Sequence, residues 1–186
     1  MTEIDQSMFE GARISHLDIG NGVRIIGNNA FENMPLTTVR LGSSITRIGN
    51  RAFAGTSLSE IIIPDSVTTI AADTFMSCRD LRSVVFGSGI TEIGNNMFDG
   101  IPLMRVIIGS NVTAIGDRAF AETALQEVVI PDSVTRIGHE AFASSELSNI
   151  ALGSGIRVIG NRAFRGTNIR GAEGDAIIKI NDQAFG

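Results

Sequence analysis

Side chains able to do chemistry are few and widely spaced in this 186-residue chain. It holds two histidines, His16 and His139, one cysteine, Cys78, and neither Trp nor Tyr. The repeat described below sets the two imidazoles about 24 Å apart at the spacing of paired strands, too far to share a metal ion. Three glycine-rich steps, Gly20-Asn21-Gly22, Gly87-Ser88-Gly89 and Gly153-Ser154-Gly155, look like phosphate cradles. None opens a helix after a strand with the GxGxxG or P-loop spacing, so no nucleotide is expected. Asp65 and Asp132 each follow a proline, where a carboxylate braces a turn by accepting backbone amides. No second acid with a pocket around it joins either of them. Cys78 reads as a reduced, half-buried structural thiol, and a lone cysteine excludes an internal disulfide framework. Asn111-Val112-Thr113 is a glycosylation sequon only in a eukaryotic secretory setting. No catalytic, cofactor-binding or metal-ligating residue is expected, and no cofactor. The chain does not read as an enzyme.

Two regular columns remain. Thr46, Thr68, Thr91, Thr113 and Thr135 form the kind of array that orders water on ice-binding surfaces. Those surfaces pair their columns, and the next positions here are Arg47, Thr69, Glu92, Ala114 and Arg136. Threonine as a good strand former is the simpler account. The other column runs Asp18, Arg40, Ile62, Val85, Ile107, Val129, Ala151, with five consecutive apolar members. Beside it lies a mixed column of His16, Thr38, Glu60, Ser83, Arg105, Glu127 and Asn149. An apolar stripe at Ile62, Val85, Ile107 and Val129, bordered by Arg40, Arg105, Glu60 and Glu127, has the make-up of a protein-binding surface. The liking of β-branched residues for strands accounts for the same column with no partner at all.

These columns exist because the chain repeats. Nine phenylalanines, Phe9, Phe31, Phe53, Phe75, Phe98, Phe120, Phe142, Phe164 and Phe185, recur in steps of 22 residues, with one of 23 and one of 21. Isoleucine stands five places before each: Ile4, Ile26, Ile48, Ile70, Ile93, Ile115, Ile137, Ile159 and Ile180. A unit of this length is one coil of a stacked array that buries its apolar side only against its neighbours. Alternation in stretches such as Ile61-x-Ile63 indicates short strands with every second side chain inward. The Gly-Asn and Gly-Asp steps at Gly27, Gly49, Gly94, Gly116 and Gly160 suggest a left-handed residue and a cap that start one helical turn ending in Ala-Phe. About seven inward apolar positions per coil explain the positive mean hydropathy of a chain without a membrane segment.

The run from Leu125 to Phe142, Leu-x-x-Val-x-Ile-Pro-Asp-Ser-Val-Thr-x-Ile-Gly-x-x-Ala-Phe, resembles the leucine-rich repeats of the BspA (treponemal, LRR_5) type, and the likeness extends from Ile4 to Phe185. That resemblance implies a β-rich, right-handed leucine-rich-repeat solenoid of parallel strands and short 3-10 or helical turns, with about eight coils of 22–23 residues. It also implies a non-enzymatic binding scaffold, adhesin- or receptor-like, often on bacterial surfaces. The family often places Cys three residues after the Phe; here only the 23-residue unit does so, at Cys78. Residues 34–100 match 101–166 coil by coil, as in Pro64-Asp65-Ser66-Val67 against Pro131-Asp132-Ser133-Val134. Duplication of a three-coil block within one domain, 1–186, is the reading.

A net charge of −5 with dispersed Lys and Arg argues against a nucleic-acid partner. Met1-Thr2-Glu3-Ile4-Asp5 lacks the apolar core of a signal peptide, although the family resemblance points to the cell exterior. Around Arg170-Gly171-Ala172-Glu173-Gly174 the strand pattern degrades, which reads as a C-terminal cap or as the end of a truncated array. The N-terminal edge has no such device, so end-to-end self-association is expected to compete with partner binding. The alternative role is a structural or self-assembling segment of a larger surface protein.

Overall fold

A computed structural model describes residues 2–6, 8, 9, 11–169 and 184. The first strand, β1 (Glu3–Ile4), belongs to the back sheet; each following coil contributes a front strand and then a back strand. These pairs are β2 (His16–Asp18) with β3 (Ile25–Ile26), β4 (Thr38–Arg40) with β5 (Arg47–Ile48), and β6 (Glu60–Ile63) with β7 (Thr69–Ile70). They continue with β8 (Ser83–Phe86) and β9 (Glu92–Ile93), β10 (Arg105–Ile107) and β11 (Ala114–Ile115), β12 (Glu127–Ile130) and β13 (Arg136–Ile137), and β14 (Asn149–Leu152) and β15 (Val158–Ile159). Among the described residues seven coils thus carry both strands, and every ladder is parallel and in register, as in Ile61↔Val84 and Ile115↔Ile137. Ile180, Phe185 and the degraded stretch 170–174 lie outside the described residues.

The rings of Phe31, Phe53, Phe75, Phe98, Phe120, Phe142 and Phe164 are buried and form one continuous column. Their neighbouring centroids are 5.2–6.1 Å apart with planes within 21°. The isoleucine column and the leucines Leu36, Leu58, Leu81, Leu103, Leu125 and Leu147 complete the core. Each such side chain contributes on the order of 1.5–3 kcal/mol on leaving water. Stability therefore accumulates along the stack.

The corner before and after each Phe is not a helical turn. Its amides point alternately along the chain and to the next coil: Asn29, Phe31 and Asn33 donate to the carbonyls of Asn50, Ala52 and Ala54, while Glu32 and Met34 close turns on Asn29 and Phe31. The backbone alternates because the neighbouring coil offers acceptors at every second residue, and residues such as Asn29, Arg51 and Arg118 take positive φ to do so. The glycine that follows most isoleucines of the column is likewise not left-handed. At all of these positions but Gly94 it is there because the coils touch. A Cβ on Gly49 would lie 2.7 Å from the Asn28 nitrogen and the Gly27 carbonyl carbon.

The polar residue after that glycine also differs from the helix cap expected of it. Asn28 Oδ1 accepts the Asn50 amide at 2.8 Å, Asn95 accepts that of Asp117, and Asp117 that of His139. His139 continues the series, its Nδ1 accepting the Asn161 amide at 3.2 Å. That imidazole serves here as a structural tie. The threonine column is used in the same way: Thr68, Thr113 and Thr135 donate their hydroxyls to the carbonyls of Thr46, Thr91 and Thr113 one coil back. Cys78 is fully buried rather than half-buried, with Sγ 3.0 Å from the Phe53 carbonyl, and burial pushes its thiol pKa up. In other coils the equivalent position holds Thr56, Thr123 or Ser145, whose hydroxyls donate to the Phe carbonyl three residues back. A buried hydroxyl satisfied this way fills the place of the family's cysteine.

Asp65 and Asp132 reach one coil onward rather than bracing their own turns. Each accepts a backbone amide at 2.7 Å, from Ser88 and Ser154 respectively. Those amides hold both carboxyls below the usual carboxylate range. A carboxyl whose folded pKa is lowered adds stability that is complete above its unfolded value of about 3.9 and is lost as pH falls through the folded value. A doubly substituted Asp65→Asn, Asp132→Asn protein keeps the acceptor oxygens and loses the titration. Its melting temperature should fall less steeply below about pH 4 than that of the unmodified protein. Parallel melting curves at acid pH would refute this role.

The front sheet is divided into three panels, β2-β4, β6-β8-β10 and β12-β14, and the back sheet into β1-β3-β5-β7 and β9-β11-β13-β15. No junction between the seven coils loses both ladders. Where the front strands part, between β4 and β6 or β10 and β12, the back strands pair. Where the back parts, between β7 and β9, β6 pairs with β8. The back break coincides with the 23-residue unit. The two front seams fall at matching positions of residues 34–100 and 101–166.

Candidate protein-binding face

The front strands alternate inward and outward side chains, so β6 buries Ile61 and Ile63 and presents Glu60 and Ile62. Parallel pairing then aligns equal positions: Ile62 beside Val85, and Val85 beside Ile107. Ile62 is 62% exposed and Val129 70% exposed. Ile107 is also exposed, whereas Val85 is half-buried between its neighbours. Three members of the expected stripe therefore share the β6-β8-β10 panel. Val129 sits with Ala151 on the next panel, so the stripe is interrupted.

The interruption is a groove. Between β10 and β12 the ladder is absent and a depression of about 530 Å³ opens, with Val106, Ile107, Val129 and Pro131 in its lining. Val106 is only half-buried where Val84 and Val128 on other strands are fully covered. Met104, 58% exposed, forms the wall at the strand entrance. A second depression shares Met104, Glu127 and Asn149 with the first and extends it toward Gln126 and Ser148.

Met104 was not legible as a site residue from the strand alternation, because it precedes β10. Its column nevertheless carried a signal. The equivalent positions are Ser15, Thr37, Ser59, Arg82, Gln126 and Ser148, and Met104 is the apolar exception.

The charged margin divides. Arg40 lies on the first panel, across a seam from Ile62, and its guanidinium is 3.7 Å from Asp18 with both side chains largely exposed. Glu60 and Arg105 belong to the panel of Ile62 and Ile107, and Glu127 faces Arg105 across the groove. Among the described residues no ion pair engages Glu60, Arg105 or Glu127. Exposed pairs such as Arg40–Asp18 add little to stability.

The strongest ionic cluster lies elsewhere, at the corner. There Arg118 donates to Asp99, Glu140 and Glu122 at 3.0 Å, which raises its pKa, chiefly through Asp99. Four of that guanidinium's five N–H donors are engaged by its own chain. Among the described residues no group of three His, Cys, Asp or Glu side chains is placed to hold a metal ion.

A family model described as the BspA type leucine rich repeat region matches residues 2–125 and 113–186, in six copies. A leucine-rich cell surface protein from Faecalibacterium prausnitzii A2-165 superposes with a TM-score of 0.65 at 24% identity, covering 93% of this chain and 64% of its own. A leucine-rich repeat protein from Bacteroides ovatus superposes with a TM-score of 0.50 at 22% identity, covering 89% of this chain and 56% of its own. The chain thus spans less than two thirds of either protein. At these identities the likeness is one of fold. No curated protein sequence matches the chain.

Proposed function

Because this chain belongs to the BspA-type leucine-rich repeat family, we propose that it is a non-enzymatic scaffold that binds a protein partner on its front sheet. The observation that carries this reading is the groove between β10 and β12. Apolar side chains line it, and Arg105 and Glu127 stand beside it with no ion pair among the described residues. Side chains held on paired strands lose little freedom on binding, which reduces the entropic cost of association. Ile62, Val85 and Arg40 extend the surface toward the N-terminal coils, and Glu60 supplies its acidic margin. A place on a bacterial cell surface is part of the proposal. It is supported by the family and by the description of the Faecalibacterium protein as a cell surface protein. No described helix is long and apolar enough to cross a membrane.

Ile62, Ile107 and Val129 are exposed, so changing all three to Glu should leave the melting temperature nearly unchanged. Burying three carboxylates against a partner is costly, so a surface protein captured by the intact chain should not be captured by this variant. Undiminished capture by a folded variant would remove the front sheet from consideration.

Among the described residues β1 and β2 each pair on one side only, which favours a second reading, assembly of chains end to end. Sedimentation at rising concentration separates the two: growth of the particle in the absence of any partner supports assembly, and a constant monomer supports the receptor-like role.

A further inference from the structure

We propose that the Asn21-Gly22 step is a site of spontaneous modification, at which Asn21 is converted to aspartate and isoaspartate. The step occupies an exposed turn closed by the Val23 amide on the Gly20 carbonyl at 3.3 Å. Among the described residues the Gly22 N–H has no hydrogen-bond partner, and Gly22 has no Cβ to hinder approach to the preceding side chain. Asn21 Oδ1 meanwhile accepts two hydrogen bonds from Ser43, from its amide at 2.9 Å and its hydroxyl at 3.1 Å. Nucleophile and electrophile are thus neighbours in one exposed turn, and the next coil supplies two donors to the carbonyl oxygen.

The chemistry balances with water alone. The Gly22 nitrogen gives its proton to solvent and bonds to Asn21 Cγ, placing negative charge on Oδ1. Donors already aimed at that oxygen stabilise the charge as it forms. Collapse expels Nδ2 as ammonia and leaves a succinimide. Water then opens the ring at either carbonyl, giving aspartate in place of Asn21 or its isomer. One water is consumed, one ammonia leaves, and nothing is oxidised.

The fold also accommodates the direct product. Asp65 and Asp132 occupy the same place two and five coils on. They accept the amides of Ser88 and Ser154 as the new aspartate would accept that of Ser43. The isomer inserts a methylene into the backbone and breaks that register. The chain's one Asp-Gly step in the described coils has neither freedom: the Asp99 carboxylate is held by Arg118, and the Gly100 amide donates to Ala121 at 3.0 Å. After Asn28 and Asn95 the next amide is likewise engaged, by Asn50 and Asp117.

The test is to age the purified chain in mildly alkaline buffer and follow the tryptic peptide Ile14–Arg24 by mass and by enzymatic methylation of isoaspartate. Asn21 should react several-fold faster than any other asparagine of the folded chain. Ser43→Ala should slow it several-fold in the folded protein and leave it unchanged in denaturant, and Gly22→Ala should suppress it in both. Asn21 reacting no faster than its counterparts overturns the proposal. So does a folded Ser43→Ala protein that reacts at the same rate or faster.

Discussion

Replacing Phe98 by alanine should lower the stability of this rod by about 3–5 kcal/mol, near the upper limit for a single core substitution. The ring has no exposed surface and is stacked between Phe75 and Phe120, each with its centroid 5.5 Å away. Phe86 adds an edge contact at 6.0 Å and 72°. Truncation therefore leaves a void walled by three other rings. The coils above and below are tied by backbone ladders and cannot collapse into it. The site also lies beside the junction where β7 and β9 do not pair, so packing carries more of the coupling there.

Phe9→Ala is the control. That ring is half-buried and, among the described residues, stacks on one other ring only, Phe31, at a tilt of 36°. Its loss should cost less than half as much. Urea unfolding followed by circular dichroism measures both, and the melting profile should broaden for Phe98→Ala as the two halves uncouple. Equal losses at the two positions would show that the phenylalanine column does not hold the coils together.

The inward columns were legible in the sequence because one burial requirement recurs at one interval. Phe, Ile and Leu at fixed places can satisfy it only by stacking. The corners were misread for a physical reason: a short Gly-Asn-x-Ala-Phe run is compatible with a helical turn in isolation. Its amides leave that turn only because Asn50, Ala52 and Ala54 of the next coil offer acceptors to Asn29, Phe31 and Asn33. Local sequence carries no record of that competition. The outward stripe was half legible for the same reason. Alternation tells which way Ile107 and Val129 point, but not how far apart β10 and β12 stand, so the groove and Met104 appear only with the stack assembled. Asp65 and Asp132 were read as turn carboxylates, and their acceptors' reach to Ser88 and Ser154 is again a property of two coils together.

Glycine gives the sharpest test of this inter-coil account. Gly116 and Gly94 occupy the same place one coil apart and neither has positive φ, so backbone freedom cannot distinguish them. A Cβ on Gly116 would lie 2.5 Å from Asn95 Oδ1, 2.7 Å from the Asn95 nitrogen and 2.8 Å from the Gly94 carbonyl carbon. On Gly94 it would meet only Met97 Cε, at an ordinary 3.5 Å. The preceding coil carries alanine, Ala71, at this position, and there the chain displays what accommodation requires. The Ala71 amide reaches the Ile48 carbonyl at 3.1 Å, against 2.8 Å for Gly49, Gly116, Gly138 and Gly160 to their own acceptors. Gly116→Ala must push β11 from β9 in the same way and strain the Asn95–Asp117 tie, at about 1–3 kcal/mol, the usual cost of overpacking. Gly94→Ala meets no such barrier and should instead stabilise by about 0.4–1 kcal/mol, through the lower entropy of the unfolded chain. Opposite shifts in the denaturation midpoint are thus expected from one chemical change made one coil apart. Shifts of the same sign and size would mean that these glycines serve local backbone conformation, and that the close stacking of coils does not select them.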